Sequence, residues 1–146
     1  MLRSAGCGKL GASEVERADQ AVGLWIPPLR IVLLNVAHSS LTGLDPSSFA
    51  LDITRVAWHE WGHALSIDRA SPADVADGPR YLELMPEQMA EAIRESGYRR
   101  WEYTHEIVAE IYSILMLRRR LGEVEKPYWL HKEIYELVRR VAGWNH

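Results

Sequence analysis

The chain has 146 residues, of which 47% are hydrophobic and 25% are charged, so we expect one globular domain over residues 1–146. The net charge of −3 argues against nucleic-acid binding, and Cys7 is the only cysteine, which excludes a disulfide bond within the chain. Its apolar runs are too short to span a membrane, and its start lacks the hydrophobic stretch of a signal peptide. We therefore expect a cytoplasmic protein that does not contact membranes.

The N-terminal third of the chain is rich in small, charged and turn-forming residues. Residues 1–24 predict a peripheral segment that includes a short helix over Ser13–Val22. The β-branched and leucine-rich run Leu29–Ala37 predicts a buried or half-buried strand. A turn-rich stretch, Thr42–Ser48, separates this strand from a first long helix.

The rest of the chain predicts four helices and one loop. The first helix has Asp52, Ser47 or Ser48 as its expected N-cap. A surface loop is predicted over Ala70–Pro79. The later helices are predicted over Pro86–Ser96 with Gly97 as the stop, over Glu102–Leu117 with an isoleucine stripe, and over Pro127–Ala142 with Gly143 after the end. The expected fold class is therefore α+β, dominated by helix, with a small sheet.

The first helix carries the motif His59-Glu60-Trp61-Gly62-His63. Residues four positions apart on a helix differ by about 40° around its axis, so the two imidazoles point the same way. This is the H-E-x-x-H pattern in which two histidines bind zinc and the glutamate acts as a general base. A glycine inside a helix costs about 1 kcal/mol relative to alanine, so Gly62 predicts the close approach of another part of the chain.

A zinc site that keeps a position open for water needs a third protein ligand. Arg69 stands where a metzincin would have its third histidine, so a carboxylate from another helix is the expected partner. Glu106 and Glu110 lie one turn apart at the edge of an apolar stripe, and buried carboxylates are costly unless they are paired or bind metal. Other conceivable ligands, each with a weaker case, are Asp68, Asp74, Asp77, Glu83, Glu102 and His105.

The motif helix together with Glu106-Ile-Val-Ala-Glu110 resembles the gluzincin metallopeptidases, most closely the branch that contains the lethal-factor catalytic domain. The resemblance covers roughly residues 55–142 and implies a zincin-like domain that binds one Zn²⁺ per chain. It implies that His59, His63 and Glu106 are the zinc ligands. Glu60 would be the catalytic base, and Glu110 would orient a histidine ligand.

The same family has a tyrosine shortly before the third ligand that stabilises the oxyanion. Tyr98 matches it best, although it lies eight residues before Glu106, and Tyr103 is the alternative. The strand residues Ile31–Ala37 are a candidate rim of the cleft, with Asn35 and His38 as conceivable substrate contacts.

The resemblance implies a zinc-dependent metallopeptidase that hydrolyses peptide or protein substrates. Two other functional interpretations stay open. One is a non-catalytic or regulatory zinc-binding domain that acts through a protein partner. The other is an interaction domain in which the H-E-x-x-H pattern is accidental.

Overall fold

A computed structural model describes residues 22–26 and 30–145 of the chain. Within these residues helix dominates, and two short strands form the sheet, which confirms the α+β class. In chain order the elements are β1 (Gly23–Ile26), β2 (Ile31–Leu34), α1 (Pro46–Arg69), α2 (Pro72–Ala76), α3 (Gly78–Glu83), α4 (Glu87–Glu95), α5 (Tyr103–Arg120) and α6 (Lys132–Ala142), with 3-10 turns at Ser39–Leu41 and Arg100–Glu102.

The two strands pair antiparallel, with Gly23 opposite Leu34 and Ile26 opposite Ile31. The predicted strand was too long, because the Asn35 side chain accepts a hydrogen bond from the backbone N–H of Ala37 and the chain turns there. Strand β1 was not predicted as such, and the expected boundary at residue 24 falls within it. The predicted helix over residues 13–22 lies outside the described residues apart from its last position, as does Cys7.

Helix α1 begins earlier than predicted. Its N-cap is Asp45, whose carboxylate accepts hydrogen bonds at 3.0 Å from the backbone N–H groups of Ser47 and Ser48. Pro46 follows at the first helical position, where a missing N–H costs nothing. The expected N-caps were therefore wrong, and the histidine motif lies in the second half of a 24-residue helix.

The predicted loop over residues 70–79 was also wrong, because it contains α2 and the start of α3. Ser71 and Asp74 form a capping box, in which each side chain accepts a hydrogen bond at 3.1 Å from the other residue's backbone N–H. Pro72 and Pro79 stand in the first turns of the two helices. Prolines that suggested loop punctuation therefore begin helices here.

The later helices follow the predicted order. Helix α4 starts after Pro86, and α5 runs to Arg120, three residues beyond its predicted end. Helix α6 starts only at Lys132, because the imidazole of His131 caps it by accepting a hydrogen bond from the backbone N–H of Glu133. Gly143 ends α6 with φ of 71°, as predicted.

The core forms where α5 packs against α1, α3 and α6. The predicted isoleucine stripe of α5 is confirmed, except that Ile114 is only half-buried, and α6 buries Ile134, Leu137, Val138 and Val141 at helical spacing. Ile67 of α1, in the apolar run that follows the histidine motif, is 44% exposed. The fully buried large apolar side chains are Ile107, Ile111, Leu130, Ile134, Leu137, Val108, Val138 and Val141.

The contact between α1 and α5 depends on Gly62, as predicted. A methyl group on Gly62 would lie 2.7 Å from the Cα atom of Ala109 and 3.3 Å from the Cβ atom of Tyr112. Because a backbone atom blocks the space, the helices would have to separate. We expect Gly62→Ala to lower the free energy of unfolding by about 1–3 kcal/mol, although alanine is the better helix former.

Chemical denaturation of both proteins measures this change. Gly97→Ala is a useful comparison, because a methyl group there meets nothing within 4 Å and costs only the strain of a residue with φ of +73°. If Gly62→Ala were as stable as the wild-type protein, the tight contact between α1 and α5 would be refuted.

Candidate active site

The two motif histidines on α1 face the first turns of α5. Their ring centroids lie 4.9 Å apart with an angle of 75° between the rings. The carboxylate of Glu106 lies opposite both. Its Oε1 atom is 3.1 Å from Nε2 of His63, and its Oε2 atom is 3.6 Å from Nε2 of His59. The packing of α1 on α5 therefore brings Glu106 against two histidines that lie 43 and 47 residues earlier in the chain.

Glu110 contacts the other ring nitrogen of His59. Its Oε2 atom lies 3.2 Å from Nδ1, so the imidazole is held between two carboxylates of successive turns of α5. A carboxylate that accepts a hydrogen bond from Nδ1–H leaves Nε2 as the ring nitrogen that could bind a metal beside Glu106. Glu110 lies where a residue that orients His59 should lie.

Glu60 is buried beneath strand β1. Its Oε2 atom accepts a hydrogen bond of 2.8 Å from the backbone N–H of Trp25. Gly23 permits this close packing, because a Cβ atom there would lie 2.9 Å from Cγ of Glu60. One potential ligand atom from each of His59, Glu60 and His63 lies within 4.8 Å of the others.

The site has more negative than positive character. Burial tends to lower the pKa of His59, but hydrogen bonds with Glu106 and Glu110 raise it to about 9. Burial likewise tends to raise the pKa of Glu106, but its bonds with His59 and His63 lower it to about 2. The hydrogen bond with His59 lowers the pKa of Glu110 below its usual range. The carboxylates therefore favour a cation at the position of the imidazoles.

The donor set fits a zinc ion. Zinc bonds to imidazole nitrogen and carboxylate oxygen are about 2.0–2.2 Å long, so two ligand atoms of a tetrahedral site lie about 3.4 Å apart. The Glu106 carboxylate lies close to that distance from both histidines, with Oε1 3.1 Å from Nε2 of His63 and Oε2 3.6 Å from Nε2 of His59. These residues could hold Zn²⁺ with little rearrangement of their side chains.

Two clefts meet at this cluster. The first, of about 360 Å³, lies against α4 and is lined by Met89, Ala92 and Ile93 together with His59 and Glu106. The second, of about 400 Å³, lies between β1 and the start of α5. Its lining residues are Gly23, Leu24, Trp25, His59, Glu60, His63, Ile67, Tyr98, Trp101, Glu102, His105 and Glu106. A bound peptide that followed both clefts would pass over the histidine cluster.

Tyr98 and Tyr103 occupy different places. Tyr98 lines both clefts, and burial and the nearby carboxylate of Glu106 raise its pKa to about 12. Tyr103 lines a separate depression with Pro79 and Leu82 and packs against the core. Of the two tyrosines, Tyr98 is the one that the fold places beside Glu106.

Most of the other conceivable ligands are engaged elsewhere. Asp68 pairs with Arg30 at 2.7 Å, and Asp77 pairs with Arg80 at 3.3 Å. Asp74 pairs with Arg140 at 2.6 Å, and Glu83 lines the depression beside Tyr103. Glu102 and His105 do line the second cleft, but Glu102 binds the backbone N–H of Arg99 and His105 contacts Ser66, whereas Glu106 lies within 3.6 Å of both motif histidines.

Sequence reasoning missed the cleft wall formed by β1. The predicted rim was Ile31–Ala37, but the second cleft is lined by Gly23, Leu24 and Trp25 of the neighbouring strand. Asn35 and His38 line neither cleft. The apolar run Gly23–Ile26 before two prolines was the available signal for this strand.

Two aromatic residues of the motif region differ in their surroundings. Trp58 packs against the core and contacts the ring of Tyr112 edge-on, with centroids 6.2 Å apart. Trp61 is 47% exposed. Ordinary packing therefore accounts for Trp58 but not for Trp61.

Comparisons of the chain with protein-family models, with curated proteins and with solved structures find no match. Among the described residues, no helix has the length and apolar character needed to cross a membrane.

Proposed function

We propose that the protein is a zinc-dependent metallopeptidase of the gluzincin type with a zincin-like domain. The observation that carries the proposal is the carboxylate of Glu106, which faces Nε2 of both His59 and His63. Glu110 supports it by holding the remaining nitrogen of His59 at 3.2 Å. His59, His63 and Glu106 would bind the zinc ion, and peptides or proteins would be the substrates.

Zinc bound by these three side chains would supply Lewis-acid chemistry, lowering the pKa of water to about 7 and polarising a peptide carbonyl. Glu60 would be the general base. The Trp25 N–H binds its Oε2 atom, whereas its Oε1 atom has no hydrogen-bond partner among the described residues and can accept the water proton. The same carboxyl group would then give this proton to the leaving nitrogen.

Tyr98 would stabilise the oxyanion of the tetrahedral intermediate. With a pKa of about 12, its hydroxyl group stays protonated at neutral pH and can donate a hydrogen bond to the developing negative charge. Its place beside Glu106 in both clefts supports this role.

Strand β1 is the expected docking edge for an extended substrate. The backbone N–H of Trp25 binds Glu60 and not β2, so Trp25 and Val32 form a non-hydrogen-bonded pair of the antiparallel ladder. The backbone C=O of Trp25 and the N–H and C=O of Gly23 therefore point away from β2. A peptide in the second cleft could pair with these groups as an added strand.

The bond between Glu60 and Trp25 also favours a second candidate function. A buried carboxylate that anchors a strand can serve stability alone, so the domain could bind zinc without catalysis and act through a protein partner. The Oε1 atom of Glu60 supports the peptidase, because it has no hydrogen-bond partner among the described residues and a purely structural role does not need such an atom.

A zinc titration followed by a peptide-library cleavage profile tests the proposal. We expect one zinc ion per chain, and cleavage of a subset of the peptides that stops when a chelator removes the metal. Zinc binding without cleavage of any peptide would favour the second candidate function. Failure to bind zinc at neutral pH would refute both.

Zinc affinity should depend on pH through His59. Its pKa of about 9 means that the imidazole carries a proton at neutral pH, and this proton must leave when zinc binds. The affinity should therefore rise about tenfold per pH unit from this group and level off above pH of about 9. Calorimetry in buffers of different ionisation enthalpy measures the released proton. A pH-independent affinity with no proton release would contradict this assignment.

A further inference from the structure

His105 lies in the second cleft, outside the proposed zinc cluster and base. Its Nδ1 atom is 2.8 Å from Oγ of Ser66, a side chain with no solvent exposure. A side chain of α1 therefore fixes the position of the imidazole, which lines the cleft. Its other nitrogen, Nε2, has no hydrogen-bond partner among the described residues.

The surroundings of Ser66 determine which nitrogen carries the proton. Other helical hydroxyl groups, those of Thr54 and Ser96, donate to the backbone carbonyl four residues earlier. The Ser66 hydroxyl makes no such bond, and His105 is its only acceptor among the described residues. Because a buried hydroxyl that donates to nothing is costly, Ser66 donates to Nδ1. The neutral ring then has its proton on Nε2.

The charge of the cleft limits what Nε2–H can bind. Among the described residues no lysine or arginine lines the cleft, and its other ionisable groups are the carboxyl groups of Glu60, Glu102 and Glu106, the imidazoles of His59 and His63, and the hydroxyl group of Tyr98. Because three carboxylates outnumber the cationic imidazole of His59, an anionic ligand group is disfavoured there, whereas a neutral amide carbonyl is not. The hydrogen-bond acceptor that best suits this position is therefore a peptide carbonyl oxygen.

We propose that His105 is a substrate-binding residue whose Nε2–H donates a hydrogen bond to a backbone carbonyl of the peptide in the second cleft, with Ser66 holding the ring in the required tautomer. The proposal rests on the proposed peptidase function and adds a specific contact to it. It also assigns the second cleft, beside β1, to the main chain of the substrate.

Nitrogen-15 NMR of the histidine rings tests the tautomer directly. We expect the wild-type protein to have a protonated Nε2 and an unprotonated Nδ1 at His105. Ser66→Ala should move both nitrogens toward averaged values, whereas Ser113→Ala, which alters another fully buried serine, should leave them unchanged. A proton on Nδ1 in the wild-type protein would overturn the proposal.

Binding of a peptidyl hydroxamate to the zinc-loaded protein tests the contact. The hydroxamate group binds zinc, and the peptide arm offers amide carbonyls to the cleft. His105→Phe should weaken binding about three- to tenfold without changing the zinc stoichiometry, since one hydrogen bond is lost. His105→Gln, which keeps a side-chain N–H donor, should restore most of the affinity.

The outcomes separate this proposal from the proposed function. Hydroxamate affinity that is equal in the wild-type protein and His105→Phe would overturn the role of His105 and leave the peptidase intact. Absence of hydroxamate binding by the zinc-loaded wild-type protein would overturn the peptidase function and this contact with it.

Discussion

Replacing Glu60 with glutamine is expected to lower the rate of peptide hydrolysis by about 10²- to 10⁴-fold while zinc stays bound. Glutamine cannot take a proton from water, but its carbonyl oxygen can still accept the hydrogen bond from the Trp25 N–H. Strand β1 should therefore keep its anchor, and the free energy of unfolding should change little. This variant removes the base without removing the structural contact.

Steady-state kinetics on a peptide selected from the library measures this effect. Glu102→Gln is the matched control, because Glu102 lines the same cleft but lies outside the cluster of His59, Glu60 and His63. Its turnover number should remain close to that of the wild-type protein. Undiminished hydrolysis by Glu60→Gln would show that another group acts as the base.

Replacing Glu106 with alanine is expected to weaken zinc binding by more than about 100-fold and to abolish hydrolysis. Loss of a residue that only orients a ligand typically costs 10- to 100-fold in metal affinity, and loss of a ligand should cost more. The two histidines would also lose the carboxylate that faces both of their Nε2 atoms at 3.1 and 3.6 Å.

A series of three variants makes the ligand assignment testable by zinc titration. Affinity should fall most in Glu106→Ala, by about 10- to 100-fold in Glu110→Ala, and little in Glu102→Ala. Glu110 meets His59 on its Nδ1 side, and Glu102 accepts a hydrogen bond from the backbone of Arg99. If Glu106→Ala bound zinc like the wild-type protein, the third ligand would have to be sought elsewhere.

Local patterns predicted the long helices and much of their buried surface. The stripes of α5 and α6 recur at helical spacing, and this spacing holds whatever the helices pack against. Gly62 predicted a close helix contact because a glycine inside a helix is unfavourable without one. Ala109 now accounts for it.

The errors lie where short segments depend on partners far away in the chain. Strand β1 has only four residues, and its own sequence predicts a strand weakly. Its pairing with β2 and its packing on Glu60 stabilise the strand. Residues 70–79 contain two prolines and a glycine, which are typical of loops. The capping box between Ser71 and Asp74 and the ion pair between Asp74 and Arg140 favour helix there instead.

The sequence by itself determined that His59 and His63 share one helix face, because helical periodicity relates residues four positions apart without reference to the rest of the molecule. The tertiary structure decided which carboxylate meets them, which tyrosine reaches the cluster, and which backbone N–H holds Glu60. These contacts link α1 with α5 and α1 with β1, and they place the segment before α5 at both clefts. They depend on packing between distant segments, which periodicity within one helix does not specify.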